Sequence, residues 1–271
     1  MESSAQVFWL PKAGNSSEEY EDAYSYSNDE RQFAVADGAT ESSYADIWAL
    51  SLANQYTTRA PDGTPPTGEA MTQWLKPLQQ QWSAQINWDQ LPWYAEEKAR
   101  KGAFATMLGM KFIYVPGEEP TFFQRMMGKK ARKAETRWQA VAVGDSNFYQ
   151  IRNDALVHAF PLEKAEQFNS RPMLLSSNPN RNTYVWNEMR NAEGVCEASD
   201  VFYMATDALA KWFLDQREKG QKPWQVLAKV KTESDFANLV GELRKKQGMR
   251  NDDTTLLAFR PPVFPEAQSA K

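Results

Sequence analysis

Apolar positions recur with two different periods along the chain. Gln6 to Leu10 is largely apolar, Asp22 to Ser27 alternates as Asp-Ala-Tyr-Ser-Tyr-Ser, and Arg31 to Ala36 runs apolar again, which predicts three strands. Asn28-Asp29-Glu30 predicts the turn of a hairpin with carboxylates near both ends. From Ser43, residues Ala45, Ile47, Trp48, Leu50, Leu52 and Ala53 fall at helical spacing, with Ser42 or Ser43 as N-cap. Residues 60–68, APDGTPPTG, break that helix; further helical stretches carry Trp74, Leu75, Leu78 and Trp82, and then residues 93–100. After Gly102 strands return in Ala103 to Tyr114, Trp138 to Arg152, the alternating Ala155 to Phe160, and Val201 to Ala205. Residues 169–183 are polar and predict a loop, residues 208–217, 222–230 and 234–247 predict helices, and Thr254 to Phe259 a closing strand.

No internal repeat or linker divides the pattern. The expectation is one domain over 1–271, with a core from about residue 5 to 260 and a frayed tail at 261–271. Strands in two groups with helices inserted between them predict an α+β fold of layered sheets.

Composition narrows the chemistry. A net charge of -4, with both signs spread along the chain, gives no electrostatic case for nucleic acid. No window approaches 18 uninterrupted apolar residues and the N-terminus has no basic segment before an apolar one, so a soluble cytoplasmic protein without membrane contact is expected, and Asn15-Ser16-Ser17 is a chance match to a glycosylation site. The single cysteine, Cys196, is followed by Glu197, Ala198 and Ser199 with no arginine nearby, which excludes a cysteine-phosphatase loop and leaves it a core residue. The single histidine, His158, sits in an alternating run and reads as a strand or core residue. A closed zinc site is not expected, so any metal would be held by carboxylate oxygens, which select Mg²⁺, Mn²⁺ or Ca²⁺. The basic run 125–133 reads as a solvated hairpin extension in preference to a docking site for an acidic partner, and Trp74, Trp82, Trp88 and Trp93 as core or an interhelical lid.

Four apolar strands meet an aspartate at their ends: Val35-Ala36-Asp37-Gly38, Val143-Gly144-Asp145-Ser146, Ala205-Thr206-Asp207, and Asn251-Asp252-Asp253 before the last strand. One such acid alone reads as a turn former or helix cap. Four of them, with Glu21-Asp22 beside the hairpin, would repel one another in a partly dry cleft unless cations compensate them. Gly38 would let a backbone carbonyl approach an ion closely.

These segments, in this order, resemble the metal-dependent Ser/Thr protein phosphatases of type 2C, in their shorter bacterial branch. The resemblance rests on Glu21-Asp22-Ala23, Asp37-Gly38, Gly102 to Thr106, Gly144-Asp145-Ser146 through Arg152, Ala205-Thr206-Asp207-Ala208 and Asp252-Asp253-Thr254-Thr255. It implies a central sandwich of two antiparallel β-sheets flanked by helices, four layers in the order αββα, with a binuclear Mg²⁺ or Mn²⁺ centre at one end. By the same resemblance Asp37 bridges both ions, Glu21 and the Gly38 carbonyl complete one site, and Asp207 and Asp252 the other. Asp145 with Asp207 matches a third, weaker site, and Asp22 is an acid that hydrogen-bonds water held by the ions. The implied activity is hydrolysis of phosphoserine and phosphothreonine esters through a metal-bridging water, by a monomer acting on a phosphorylated protein and opposing a Ser/Thr kinase.

The chain departs from the family's pattern in three places. No arginine precedes the acidic pair, which leaves Lys12 as the nearest cation for gripping phosphate; Ala39-Thr40-Glu41 and Ala208 replace small residues and glycine; and the segment between Arg152 and Val201 is short. A pseudophosphatase that binds phosphoprotein without efficient turnover is therefore the alternative reading, and the related phosphatases of sigma-factor regulators a third.

Overall fold

The strand of residues 32–37 shows why the chain must fold in layers, because its burial does not alternate. Phe33, Ala34, Val35 and Ala36 are all buried, so both faces of this strand need a covering layer. Phe33 and Val35 enter a core shared with Leu108, Ala142, Phe148, Phe202, Leu257 and Phe259, whereas Ala34 and Ala36 enter another with Trp48, Leu52 and Trp74.

The computed structural model describes residues 5–119, 126–127, 131–169, 171–246, 248–262 and 264. In chain order the strands are β1 (Gln6–Leu10), β2 (Asp22–Tyr26), β3 (Gln32–Asp37), β4 (Phe104–Ala105), β5 (Met107–Val115), β6 (Glu135–Val143), β7 (Asn147–Arg152), β8 (Ala155–Phe160), β9 (Leu175–Ser176), β10 (Arg190–Cys196), β11 (Val201–Ala205) and β12 (Thr254–Phe259). The α-helices are α1 (Ala45–Thr58), α2 (Gly68–Gln85), α3 (Trp93–Arg100), α4 (Asp207–Glu218), α5 (Pro223–Leu227) and α6 (Glu233–Lys246). One antiparallel sheet has the order β1-β12-β11-β7-β8 and the other β10-β6-β5-β3-β2, while β4 and β9 form a small separate pair. The outer face of the first sheet packs on α4, α5 and α6 through Tyr149, Tyr203, Phe213, Trp224 and Phe236, and that of the second on α1 and α2. The architecture is thus the four-layered α+β sandwich.

Most predicted elements stand where the pattern placed them, and the differences have local causes. Helix α1 begins at Ala45, and its N-cap is Tyr44 in the left-handed region (φ 59°), not Ser42 or Ser43. The Ser42 hydroxyl instead donates to the Ala39 carbonyl (2.9 Å) and accepts from the Phe104 amide (3.1 Å), tying the loop after Gly38 to β4. Strand β10, RNAEGVC, carries no apolar run because it is a sheet edge with mostly exposed side chains; only its hydrogen-bond partner β6 makes it a strand. Strand β9 lies inside the polar stretch 169–183, held by pairing to β4. The sequence reads the tail from 261 as frayed, yet Phe264 is buried against Tyr114, with the Arg31 guanidinium 4.5 Å from its ring centre. Residues 263 and 265–271 of that tail lie outside the described residues, as do 125 and 128–130 of the basic run. Trp74 and Trp82 are core, as read, but Trp93 is 77 % exposed.

Between the sheets, the Phe33 ring stacks on Phe259 with centroids 3.7 Å apart, and Phe112, Phe148 and Phe202 pack around them. Phe33→Ala would leave a cavity bridging both sheets and is expected to cost about 3–5 kcal/mol. Urea denaturation checks this, and a loss under about 1 kcal/mol would mean that the inter-sheet core does not depend on that stack.

Candidate metal centre

Asp22 opens β2 and Asp37 closes β3, and the hairpin register sets them directly opposite each other. The chain immediately beyond is tightly packed. The Gly38 amide donates to the Glu21 carbonyl (3.2 Å), and a Cβ at residue 38 would stand 2.7 Å from that oxygen and 3.0 Å from the Ala45 backbone. Only glycine lets these three segments meet. The Asp37 amide donates to Thr106 Oγ1 (3.1 Å), which pairs with Ser146 Oγ (2.9 Å), so the β3 end is tied to the turn between β6 and β7. That turn needs Gly144, whose φ is +101°, before Asp145.

The other sheet supplies Asp207 at the first turn of α4, where the N-terminal end of the helix favours an acid. Thr206 Oγ1 and Thr255 Oγ1 both donate to Asp22 Oδ2, at 2.9 and 2.7 Å, so an acid of one sheet is held by hydroxyls of the other. Asp253 accepts the Lys12 amide (2.8 Å) on Oδ1 and the Glu21 amide (2.7 Å) on Oδ2, pinning the segment that carries Glu21 to the lead-in of β12. Of the residues singled out in the sequence, Glu21, Asp22, Asp37, Gly38, Asp145 and Asp207 thus gather at one end of the sandwich. Asp252 joins them through Arg250, whose guanidinium pairs with both Asp252 and Asp207, the latter at 3.1 Å. Lys12 lies at the edge, with Nζ 3.9 Å from Glu21 and 3.4 Å from Thr40 Oγ1.

Crowding acids in a dry place raises their proton affinity. Burial, opposed by the two threonine hydrogen bonds and reinforced by Asp253 and Asp207, pushes the Asp22 carboxyl up to about 7. Burial and the nearby Asp207 push Asp145 up to about 7. Burial, then Asp22, Asp207 and Asp145, raise Asp37 well above the ordinary carboxylate range, and burial raises Asp207 and Glu21.

Among the described residues, the buried side-chain oxygens without any hydrogen-bond partner include Glu21 Oε2, Asp22 Oδ1, Asp145 Oδ1 and Asp207 Oδ1. An orphaned carboxylate oxygen costs free energy unless a proton or cation meets it. Also among the described residues, no group of three or more His, Cys, Asp and Glu side chains is placed to hold a metal ion. Hard oxygen donors, spaced apart and unsatisfied, fit cations that keep part of their water, as Mg²⁺ and Mn²⁺ do.

The fold has known counterparts. No protein-family model matches the chain, nor does any curated protein sequence. Solved structures do. The Mycobacterium tuberculosis serine/threonine phosphatase PstP/Ppp matches at 13 % identity over 96 % of this chain and 98 % of its own, with a TM-score of 0.58. Serine/threonine phosphatase Stp1 from Staphylococcus aureus matches at 15 % identity over 96 % of each chain, with a TM-score of 0.57. The catalytic domain of PstP in complex with two manganese ions matches at 14 % identity over 94 % of this chain and 96 % of its own, with a TM-score of 0.55. The fold is that of the bacterial type 2C phosphatases.

Within this type 2C fold, Arg250 was not singled out in the sequence, and Asp253 was quoted there beside Asp252 without a role of its own. Asp253 could not be told from its neighbour Asp252 by pattern, since both precede β12; burial separates them, because Asp253 is 4 % exposed and spends both oxygens on backbone amides. No sequence signal marks Arg250, whose ion pairs arise only when the α6–β12 connection folds over the start of α4. Arg152, in contrast, is spent structurally, with Nε and Nη2 each 2.7 Å from Asp200. His158 stacks on Phe148 and packs at a tilt against Trp138, and Cys196 is buried between the sheets; neither is among the acids.

The raised carboxyl groups fix a sign for pH dependence. The folded chain holds protons on Asp22 and Asp145 that the unfolded chain releases near pH 4, so stability falls as pH rises from about 4 to about 7. In EDTA the thermal midpoint is expected to drop by several degrees between pH 5 and pH 8, and Asp145→Asn to flatten that drop while raising the midpoint at pH 8. A variant whose midpoint falls with pH as steeply as the parent's would show that Asp145 is not a buried titrating acid.

Proposed function

We propose that this protein is a metal-dependent phosphoprotein phosphatase that hydrolyses phosphoserine and phosphothreonine esters. The observation that carries the reading is the set of orphaned carboxylate oxygens of Glu21, Asp22, Asp145 and Asp207 at one end of the sandwich. The resemblance of the fold to Ser/Thr phosphatases, one of them with two manganese ions, supports it. Glu21, Asp37 and the Gly38 carbonyl would contribute donors to one Mg²⁺ or Mn²⁺ ion, Asp207 and Asp252 to a second, and Asp145 with Asp207 to a third, with water completing each shell. Such ions, when bound, polarise phosphoryl oxygens and make water a nucleophile at neutral pH.

The chain's own residues do the rest. Asp22 has Oδ2 fixed by two threonine hydroxyls and Oδ1 without a partner, and its carboxyl is pushed up to about 7, so it can take or give a proton at Oδ1 near neutral pH. Lys12, with Nζ at the rim beside Glu21 and Thr40, would contact the phosphate of the substrate. The protein would act as a cytoplasmic monomer against a Ser/Thr kinase; among the described residues no helix is long and apolar enough to cross a membrane.

One observation favours the pseudophosphatase as second reading. The Arg250 guanidinium already neutralises Asp207 and Asp252, so an ion at those donors must displace it. Hydrolysis of an aryl phosphate and of a phosphothreonine peptide, with Mn²⁺ and with EDTA, separates the two. Turnover is expected to need Mn²⁺ and to fall at least about 100-fold in Asp37→Asn, a barrier rise on the order of 2.7 kcal/mol. Calorimetric Mn²⁺ binding without turnover in the parent chain would leave the second reading standing and the first refuted.

A further inference from the structure

Helix α1 starts against Gly38 and carries Tyr56, in its last turn, about 16 Å further along its axis. The Tyr56 ring lies over Gly109, where a Cβ would be 2.3 Å from it, and Lys111 stands two residues further along β5 on the same face. Here the loop after α1 leans over the sheet and leaves a half-open cavity of about 270 Å³, walled by Tyr56, Pro61, Pro65, Pro66 and Val141, with Lys111 among its lining. At a liquid-water share of about 30 Å³ each, that is room for roughly nine waters, or for an organic molecule of about ten non-hydrogen atoms.

The polar groups of this cavity are unbalanced. Among the described residues, neither the Lys111 ammonium nor the Tyr56 hydroxyl has a hydrogen-bond or ion-pair partner, although Tyr56 is 2 % exposed and Lys111 is half-buried. Burial without a partner pushes the Lys111 ammonium below its ordinary pKa, and Asp62 of the covering loop opposes this only through space. Glu193, also in the lining, is paired with Arg137 at 3.2 Å and so does not serve Lys111. Beside the uncharged polar groups of Thr64, Gln139 and Asn191, the Lys111 ammonium is the cation of this lining without an ion-pair partner among the described residues, and with the Tyr56 hydroxyl and the apolar proline wall it defines the chemistry of what would fit: an anionic head that accepts hydrogen bonds and an apolar body.

We propose that this cavity binds a small organic carboxylate, its head held by the Lys111 ammonium and the Tyr56 hydroxyl and its apolar body by the proline-lined wall. The site is separate from the acids: Lys111 lies four residues along β5 from Met107, about 14 Å from the strand end that reaches Thr106. It stands on Lys111 and Tyr56 alone and does not depend on the phosphatase reading.

Calorimetric titration of the full chain with phenylacetate, and with phenylacetamide as the neutral isostere, tests it in EDTA. Phenylacetate is expected to bind at least tenfold more tightly than the amide. Lys111→Met, which keeps the length of the side chain and removes the charge, is expected to abolish that preference, and Tyr56→Phe to weaken phenylacetate at least threefold. Equal affinity for the two compounds, no binding of either, or a preference that survives in Lys111→Met would overturn the proposal. Should Lys111→Met fail to fold, the comparison of the two compounds on the parent chain and the Tyr56→Phe variant decide it.

Discussion

Asp22 and Asp37 face each other across one rung of a hairpin, with Asp207 and Asp145 near enough to act on them, in a place from which most water has been removed. Like charges at such distances in a low dielectric repel strongly, and protonation, hydrogen bonds or a cation must answer them. Nearly every special feature of this end of the molecule is one of those answers. The threonine hydroxyls on Asp22, the helix start under Asp207 and the guanidinium of Arg250 each neutralise part of the charge. What they leave, among the described residues, is four carboxylate oxygens without a hydrogen-bond partner, and that residue of unmet demand gives the site its chemical meaning.

The sandwich makes the crowding sustainable. Because the inter-sheet core packs Phe33 on Phe259 and surrounds them with further aromatic rings, β3 and β12 are locked together, and the acids at their ends cannot spread apart without separating two sheets. The hydrogen bonds run in the same sense. Asp22 belongs to one sheet and its two threonine partners to the other, while Asp253 clamps two backbone amides of the segment between β1 and β2. A strained arrangement of charge is thus held by apolar packing some distance away, the usual division of labour between a scaffold and a site.

Legibility in the sequence followed how local each cause is. Strands β3, β11 and β12 were plain because apolar runs of the right length met an acid at one end, and α2 because Trp74, Leu75, Leu78 and Trp82 repeat at helical spacing. The edge strand β10 was invisible because its side chains face water and only its backbone pairing to β6 defines it. The N-cap of α1 was misplaced because Ser42 found a tertiary partner, the amide of Phe104, that a local pattern does not contain. Arg250 and the unpaired Lys111 escaped for the same reason: what marks each is its surroundings.

By itself the sequence determined the element order, the two-layered division of strands, the acids and their place at strand ends, since these depend on side-chain period and on neighbours a few positions away. The tertiary structure decided which acids meet, which oxygens lack partners, that Asp253 is an anchor while Asp252 faces Arg250, and that Lys111 is half-buried without an ion-pair partner among the described residues. These depend on segments far apart in sequence, Asp22 and Thr255 being 233 positions apart, and contacts of that range exist only once the sheets have closed on each other.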